Sequence, residues 1–197
     1  MFNIKWRVVV ARTLIIVLAG NPLIMAAHGI ENAQLAAGQQ AAMKRSANGT
    51  EVIDIAAPSK KGVSHNKFTQ FNVTPDGLIL NNSQGPAMSA IGGWTDGNRR
   101  LAGGTASLIL AEVTSNKRSS LRGYTEVLGD SAEFVLANPN GISCNGCGFI
   151  NTPRVMLATG VPDLMNGDLM GIDVTGGDVS IDGAGLNASN VDKFDIL

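Results

Sequence analysis

The chain has 197 residues, of which 24 are glycine and only 16% are charged, and its formal net charge at pH 7 is −1. A chain of this length can bury one continuous hydrophobic core, so a single domain is expected after any export signal. A net charge near zero, with no block of basic residues, excludes an electrostatic surface for nucleic acid.

The N-terminus carries three cationic residues among its first twelve, followed by apolar stretches at 13–18 and 23–27. This arrangement is typical of a secretory signal peptide and predicts export by the Sec machinery. The apolar part is interrupted and is shorter than the roughly 20 residues of a membrane-spanning helix. We predict a signal peptide over 1–27, with cleavage between 26 and 33, and a linker or start of the mature chain over 28–48.

Residues 33–47 are rich in helix formers and could form a short helix. From Gly49 onward, short apolar alternations are separated by Gly, Asn and Asp, a pattern that predicts strands. The predicted strands are VIDIA at 52–56, LILNN at 78–82, SLILAEV at 107–113 and the start of EFVLANPNG at 133–141. The mature chain is therefore predicted to be nearly all β.

Toward the C-terminus, apolar residues recur about every seven or eight positions with GG, DG and GAG between them, which suits the stacked coils of a β-solenoid. A β-sandwich would also show short alternating strands. Asn residues recur at the turns, where their side chains tolerate left-handed backbone and bond to nearby amides, and this favours the solenoid. The recurring apolar residues are Ile172, Val174, Val179, Ile181, Leu186, Phe194 and Ile196.

Both cysteines of the chain lie in one short motif, Cys144-Asn-Gly-Cys147. A structural zinc site needs four Cys or His ligands, and His65 is the only histidine beyond the predicted signal and cleavage region, which ends at 33. A thioredoxin-like role would place the pair at the start of a helix, whereas the neighbouring Asn, Pro and Gly residues predict turns. The residues favour a local disulfide that holds a turn over a redox or zinc site.

Other candidate chemistry is weaker. Ser64 and His65 are adjacent in sequence, and no G-x-S-x-G turn marks a nucleophile. Asp178 and Asp182 in GGDVSIDGAG loosely resemble a calcium-binding β-roll repeat, but turn carboxylates that face solvent are favoured. No catalytic, cofactor-binding or metal-binding residue is predicted, and we expect the chain not to be an enzyme. Because polysaccharide-cleaving enzymes also use β-helices, a β-helical enzyme acting on surface polysaccharide is the alternative.

Two long segments carry a family resemblance: GVSHNKFTQFNVTPDGLILNNS at 62–83 and ANPNGISCNGCGFINTPRVMLATG at 137–160. They are similar to the N-terminal secretion domain of two-partner secretion exoproteins, the filamentous haemagglutinin and haemolysin group. The ending GIDVTGGDVSIDGAGLNASNVDKFDIL resembles the contact-dependent growth inhibition toxins of that group. The resemblance covers 49–197, which we predict to be the secretion domain.

This resemblance implies a right-handed parallel β-helix with an N-terminal β cap. It also implies export to the periplasm and recognition there by a partner outer-membrane barrel transporter, through the periplasmic polypeptide-transport-associated domains of that partner. The chain would then nucleate β-helix folding outside a Gram-negative cell, at the cell surface or as a secreted protein. No cofactor is implied.

The resemblance also assigns roles to residues. An NPNG turn is important for secretion in the family, and Cys144 and Cys147 match paired cysteines of the haemolysin-like branch, where the implied state is a disulfide. The secretion motif here comprises Asn138, Pro139, Asn140, Gly141 and Ile142.

One motif departs from the family pattern. Many members carry a second turn, Asn-Pro-Asn-Leu, before the SLILAEV-like strand, where this chain has Asn98, Arg99, Arg100 and Leu101. Loss of the proline removes a fixed φ angle that favours the turn. The second motif is therefore degenerate, and its fold and its contribution to secretion are open at this point.

The chain ends at VDKFDIL, on a strand-like alternation without a polar capping segment. We expect the N-terminal part of a longer exoprotein, whose effector, an adhesin, a pore-forming haemolysin or an inhibitory toxin, would lie downstream.

Overall fold

A computed structural model describes residues 33–37 and 41–197, so the predicted signal peptide over 1–27 lies outside the described residues. The described residues form nineteen β-strands and one 3₁₀ helix, Arg99–Leu101. In chain order the strands are β1 (Gln34–Leu35), β2 (Ala42–Arg45), β3 (Glu51–Asp54), β4 (Val63–Gln70), β5 (Leu78–Asn82), β6 (Ala87–Ser89), β7 (Gly93–Thr95), β8 (Leu108–Val113), β9 (Ser119–Leu121), β10 (Tyr124–Gly129), β11 (Glu133–Ala137), β12 (Ile142–Cys144), β13 (Cys147–Ile150), β14 (Arg154–Ala158), β15 (Gly160–Met165), β16 (Asp168–Val174), β17 (Val179–Ile181), β18 (Leu186–Asn187) and β19 (Lys193–Ile196).

Most strands belong to three sheets that surround one core. Sheet A has the order β1-β4-β8-β11-β14-β19, sheet B the order β18-β13-β10-β5-β3-β2, and sheet C the order β17-β12-β9. Successive coils pair in parallel, with Leu108 opposite Glu133 and Phe134 opposite Val155, so a coil without an insertion takes about 20 to 25 residues. The chain is a parallel β-helix, which confirms the predicted all-β solenoid.

The N-terminal cap is made of strands that run antiparallel to the coils. β1 pairs with β4, and β2 pairs with β3 with Ala42 opposite Asp54. The prediction of a short helix in 33–47 is therefore wrong where this segment is described. Helix propensity differs by only tenths of a kcal/mol between most residues, about the value of one cross-strand pair, so pairing with β3 decides the conformation.

The core contains a column of five phenylalanine rings, contributed by some of the coils. Ring centroids are 5.0 Å apart for Phe68 and Phe71, 5.9 Å for Phe71 and Phe134, 6.1 Å for Phe134 and Phe149, and 5.8 Å for Phe149 and Phe194. The rings come from different faces and do not lie opposite one another in the strand register, since Phe134 pairs with Ile109 and Val155. They meet inside the core at the distances typical of aromatic contacts. The column gives the stack a continuous interior.

Two hairpins lie outside the β-helix. The β6–β7 hairpin packs Ile91 on the outer face of sheet B, and its loop binds the buried Glu126 carboxylate through Ser89 Oγ at 2.6 Å and the Ala90 amide at 2.8 Å. The β15–β16 hairpin packs on the outer face of sheet A. Ile172 and Val174 belong to this second hairpin rather than to a coil. By contrast β17, β18 and β19 lie in sheets C, B and A, so the regular C-terminal spacing marks three faces of one coil.

Candidate functional site: two asparagine turns at the corners of the β-helix

The NPNG motif forms a tight turn between β11 of sheet A and β12 of sheet C. The Gly141 amide donates to the Asn138 carbonyl oxygen at 3.1 Å, and the Asn138 Oδ1 atom accepts from the Asn140 amide at 2.9 Å. Asn at the first position, Pro at the second and Gly at the fourth are the preferences of a type I β-turn. Gly141 has φ +98°, and a side chain there would collide with the Arg118 guanidinium. Local sequence therefore specifies this corner.

The same turn is bonded to the preceding coil. The buried Asn138 side chain donates through Nδ2 to the Lys117 carbonyl at 3.0 Å and to Ser119 Oγ at 2.9 Å. The Asn140 side chain donates to the Ser115 carbonyl at 2.7 Å. Buried carbonyl groups at a corner have no sheet partner, and an unmade hydrogen bond there costs about 1–3 kcal/mol. The Asn138 side chain therefore forms hydrogen bonds both within its own turn and with the preceding coil.

The following coil closes over the other side of the turn. The Ile142 amide donates to the Asp178 carbonyl at 3.0 Å, and the Ile142 side chain is fully buried in the core. Arg118 crosses the turn and holds the Asp178 carboxylate with two bonds of 2.7 and 2.8 Å, which lowers the pKa of that carboxyl. Asp178 is thus paired with a cation of this chain, and Asp182 is exposed. The NPNG corner links three successive coils.

The degenerate second motif folds as an equivalent turn. Asn98 caps the 3₁₀ helix, because its Oδ1 accepts from the Arg100 amide at 3.0 Å and its carbonyl accepts from the Leu101 amide at 3.1 Å. Its buried Nδ2 donates to the Ile55 carbonyl at 2.9 Å and to the Asn81 carbonyl at 3.0 Å. Leu101 is fully buried, as Ile142 is at the other turn. The turn therefore forms without the proline, since the asparagine supplies the same bonds.

The two arginines that stand in place of Pro and Asn point outward. Arg99 and Arg100 are exposed and line a cleft of about 470 Å³ together with Lys44, Asp54 and other residues. Lys44 Nζ lies 2.8 Å from the Asp54 carboxylate, which lies beneath this cleft. This corner thus has a charged surface, and the hydrogen bonds of its turn are formed.

Cys144 and Cys147 are joined by a disulfide, with Cα atoms 5.4 Å apart. Both cysteines are buried in the main core, at the corner where β12 of sheet C passes into β13 of sheet B. Between them the Asn145 amide donates to the Leu121 carbonyl of the preceding coil, and the Gly146 amide donates to the Gly185 carbonyl of the following coil. The disulfide therefore closes the corner that follows the NPNG turn, on the inside of the stack.

The remaining sequence candidates do not form a reactive site. Ser64 lies inside the β-helix and donates to the Ala56 carbonyl at 2.7 Å, whereas His65 Nε2 lies on the outer side, 2.6 Å from the Glu112 carboxylate. This hydrogen bond lowers the pKa of Glu112, against the opposing effect of burial. Among residues 33–37 and 41–197 no cluster of three or more His, Cys, Asp or Glu side chains is placed to bind a metal ion. A search of the same residues finds no helix long and apolar enough to span a membrane.

Sequence reasoning missed two parts of this site. Arg118 and Asp178 are 60 positions apart, and no local pattern connects them before the coils are stacked. Asn82 ends the predicted strand LILNN, but its buried amide also donates to the Ala106 and Asp130 carbonyls in other coils, which the pattern does not indicate. The one available signal is the pair Asn81-Asn82 at the end of an apolar strand, where buried amides need partners.

Comparisons with known proteins give matches over most of this chain. Residues 28–197 match the family model described as TPS secretion domain. The chain is similar to Toxin CdiA of Escherichia coli, with 46% identity over 185 residues that cover 92% of this chain and 6% of the toxin. It is 41% identical to Filamentous hemagglutinin of Bordetella pertussis over 187 residues, which cover 95% of this chain and 5% of the relative. The chain therefore spans only 5–6% of the length of these relatives.

A solved structure has the same fold. The crystal structure of a filamentous hemagglutinin secretion domain superposes with a TM-score of 0.79 at 40% identity, and the match covers 84% of this chain and 55% of that one.

Proposed function

The chain belongs to the family of TPS secretion domains, the two-partner secretion domains of exported exoproteins, and we propose that it directs a much larger exoprotein through a partner outer-membrane transporter. The observation that carries this proposal is the match over 28–197 together with an intact NPNG corner that links three coils. The chain would nucleate the stack outside the cell, and later coils would add to it.

Stacking supplies a physical reason for outward movement. No ATP is expected beyond the inner membrane, so directionality needs another source of free energy. Folded proteins have a net stability of about 0.05–0.15 kcal/mol per residue, so each coil of about 20 residues would contribute roughly 1–3 kcal/mol. That contribution is enough to bias a diffusing chain outward. Each coil buries its own apolar side chains in the shared core, such as Ile109 of β8, Phe134 of β11 and Val155 of β14, so the gain repeats along the chain.

Recognition before passage needs a different conformation of the same chain. We propose that extended segments add as strands to the periplasmic polypeptide-transport-associated domains of the transporter. Main-chain hydrogen bonds would supply affinity, and alternate side chains would supply selectivity. The edge strand β2 supports this mode, because pairing with β3 holds it extended although its segment is rich in helix formers. The Sec machinery would deliver the chain to the periplasm after removal of the signal peptide.

We propose no catalytic role for this domain. Surface carboxylates form ion pairs with arginines. Asp178 pairs with Arg118, and Asp195 pairs with Arg154, whose Nη2 lies 2.6 Å from the carboxylate. No observation favours the alternative of a β-helical enzyme that acts on surface polysaccharide. Adhesive, haemolytic or toxic activity would reside in the rest of the exoprotein.

The test is export with and without the partner. A cell that produces the chain with its barrel transporter should release it or display it on the surface, and a cell without the transporter should retain it in the periplasm. Isolated periplasmic domains of the transporter should bind the unfolded segment 28–197. Equal release in both cells, or periplasmic domains that ignore the unfolded segment, would overturn the proposal.

A further inference from the structure

The β15–β16 hairpin leaves the β-helix after β14 and folds back over strands that precede it in the chain. Its inward side chains, Leu164, Leu169 and Ile172, pack on the outer face of sheet A. Leu164 and Leu169 lie directly opposite each other in the hairpin. The buried residues under the hairpin come from β4, β8 and β11, which are three successive coils. They are Val63, Leu110, Val135 and Ala137.

The tip of the hairpin reaches the loop that precedes β4. Asn166 and Gly167 form the tip with φ +53° and φ +78°, and the Gly167 carbonyl accepts a hydrogen bond from Ser59 Oγ at 2.7 Å. This bond joins residues 108 positions apart, whereas the Asn138–Ser119 bond between adjacent coils joins residues 19 positions apart. The hairpin, which follows β14, the fifth strand of sheet A, thus reaches back to the beginning of the first coil.

Chain order determines when these contacts form. β4, β8 and β11 must already be stacked in register before one continuous apolar face exists for the hairpin. We propose that the β15–β16 hairpin is a latch, which closes over the first coils after they have stacked and slows their separation. The role of this latch in export, where it would oppose the return of emerged coils, rests on the proposed function.

A latch of this kind has a kinetic signature. Contacts that are absent from the folding transition state stabilise only the native state, so their removal speeds unfolding and leaves the folding rate almost unchanged. A hairpin that nucleated folding would give the opposite result, because its removal would slow folding. The two roles are therefore separable by rate measurements on the purified chain, with no transporter present.

The hairpin provides its own matched control. The double variant Leu164→Ala with Leu169→Ala removes the inward side chains, and Met165→Ala with Met170→Ala removes outward neighbours that are 56% and 57% exposed. In stopped-flow unfolding and refolding in guanidinium, the inward variant should unfold about 10-fold faster or more and refold within about 2-fold of the parent. The outward variant should change neither rate by more than about 2-fold. Ser59→Ala deletes the bond to the tip and the two longer bonds that Ser59 Oγ accepts from the Lys61 and Val63 amides, and it should speed unfolding to a smaller extent.

Two results would overturn the latch. Refolding that slows by as much as unfolding accelerates would place the hairpin in the folding nucleus. Unfolding of the inward variant at the same rate as the outward variant would mean that the hairpin holds nothing in place. If the inward variant does not fold, Ser59→Ala and Ile172→Val decide between these results, since both are mild. Because the readout is intrinsic to the chain, failure here would leave the export proposal standing, and failure of export would leave the latch standing.

Discussion

Replacing Asn138 by Asp tests the central corner of the fold with almost no change in shape. The Asn138 amide donates two buried hydrogen bonds, to the Lys117 carbonyl and to Ser119 Oγ, and a carboxylate donates neither. The carboxylate can still accept from the Asn140 amide, so the turn itself retains one of its bonds. The change therefore acts on the contact with the preceding coil.

The cost follows from these bonds. Each lost hydrogen bond contributes about 0.5–1.5 kcal/mol, and the desolvated carboxylate adds to the loss, so Asn138→Asp should lower the free energy of unfolding by about 2–4 kcal/mol at pH 7. For a chain of this size that corresponds to a fall in Tm of about 5–15 °C. Circular dichroism during thermal and guanidinium unfolding measures both quantities. Secretion through the partner transporter should fall in parallel.

The matched control is Asn190→Asp, which makes the same chemical change at an exposed position. It should leave Tm and secretion within experimental error of the parent. If Asn138→Asp loses no more stability than Asn190→Asp, the side-chain bonds of the NPNG turn do not hold the coils together, and the reasoning is refuted.

Three further predictions concern the other turn, the disulfide and pH. Asn98→Ala should destabilise the chain more than Pro139→Ala, because it removes two buried hydrogen bonds. Pro139→Ala should cost about 1 kcal/mol or less, because it changes only chain entropy. Guanidinium midpoints that rank the two variants the other way would contradict the equivalence of the two turns. Replacing Cys144 and Cys147 by Ser should lower the free energy of unfolding by about 2 kcal/mol and reduce secretion only modestly. A loss of secretion equal to that of a signal-peptide deletion would show that the disulfide does more than hold a corner. Burial raises the pKa of Glu51 from 4.5 to about 7, against the opposing effect of Arg45. Between these values the folded state retains a proton that the unfolded state releases, so stability is lost as pH rises through this range. The free energy of unfolding of Glu51→Gln should therefore equal that of the parent near pH 4 and exceed it by an increasing amount up to pH 8. A constant difference in urea titrations across this range would count against the raised pKa.

Sequence periodicity predicts the strands of the coils, but it does not predict the cap strands and hairpins that lie outside them. The segment LILNN at 78–82 is β5 to the residue, because its alternation and its flanking turns are both local signals. The segment around Ala42–Arg45 looked helical, since propensity is local while its pairing with β3 is not. Ile172 fitted the spacing of a coil but lies in the β15–β16 hairpin, whose packing partners include Val63, more than a hundred positions away.

In the candidate site, too, the local features could be predicted from the sequence and the features that depend on stacking could not. The NPNG corner was predictable because Asn, Pro and Gly each have a turn preference that operates over four residues. The recovery of the second turn by Asn98 was not, because it depends on carbonyl groups of Ile55 and Asn81 that only stacking brings near. The disulfide pair is close in sequence, but its position inside the core depends on where the corner falls in the coil.

The most direct test of folding-driven export is to measure secretion across a graded series of stabilities. Phe134→Leu and Phe134→Ala remove increasing amounts of one ring from the phenylalanine column, and they alter neither the signal peptide nor the residues that hydrogen-bond in the NPNG turn. The account predicts that the secreted fraction through the partner transporter falls in step with the free energy of unfolding, while binding of the unfolded chain to the periplasmic domains stays constant. Full secretion of a Phe134→Ala chain that no longer folds would contradict the claim that stacking coils draw the polypeptide outward.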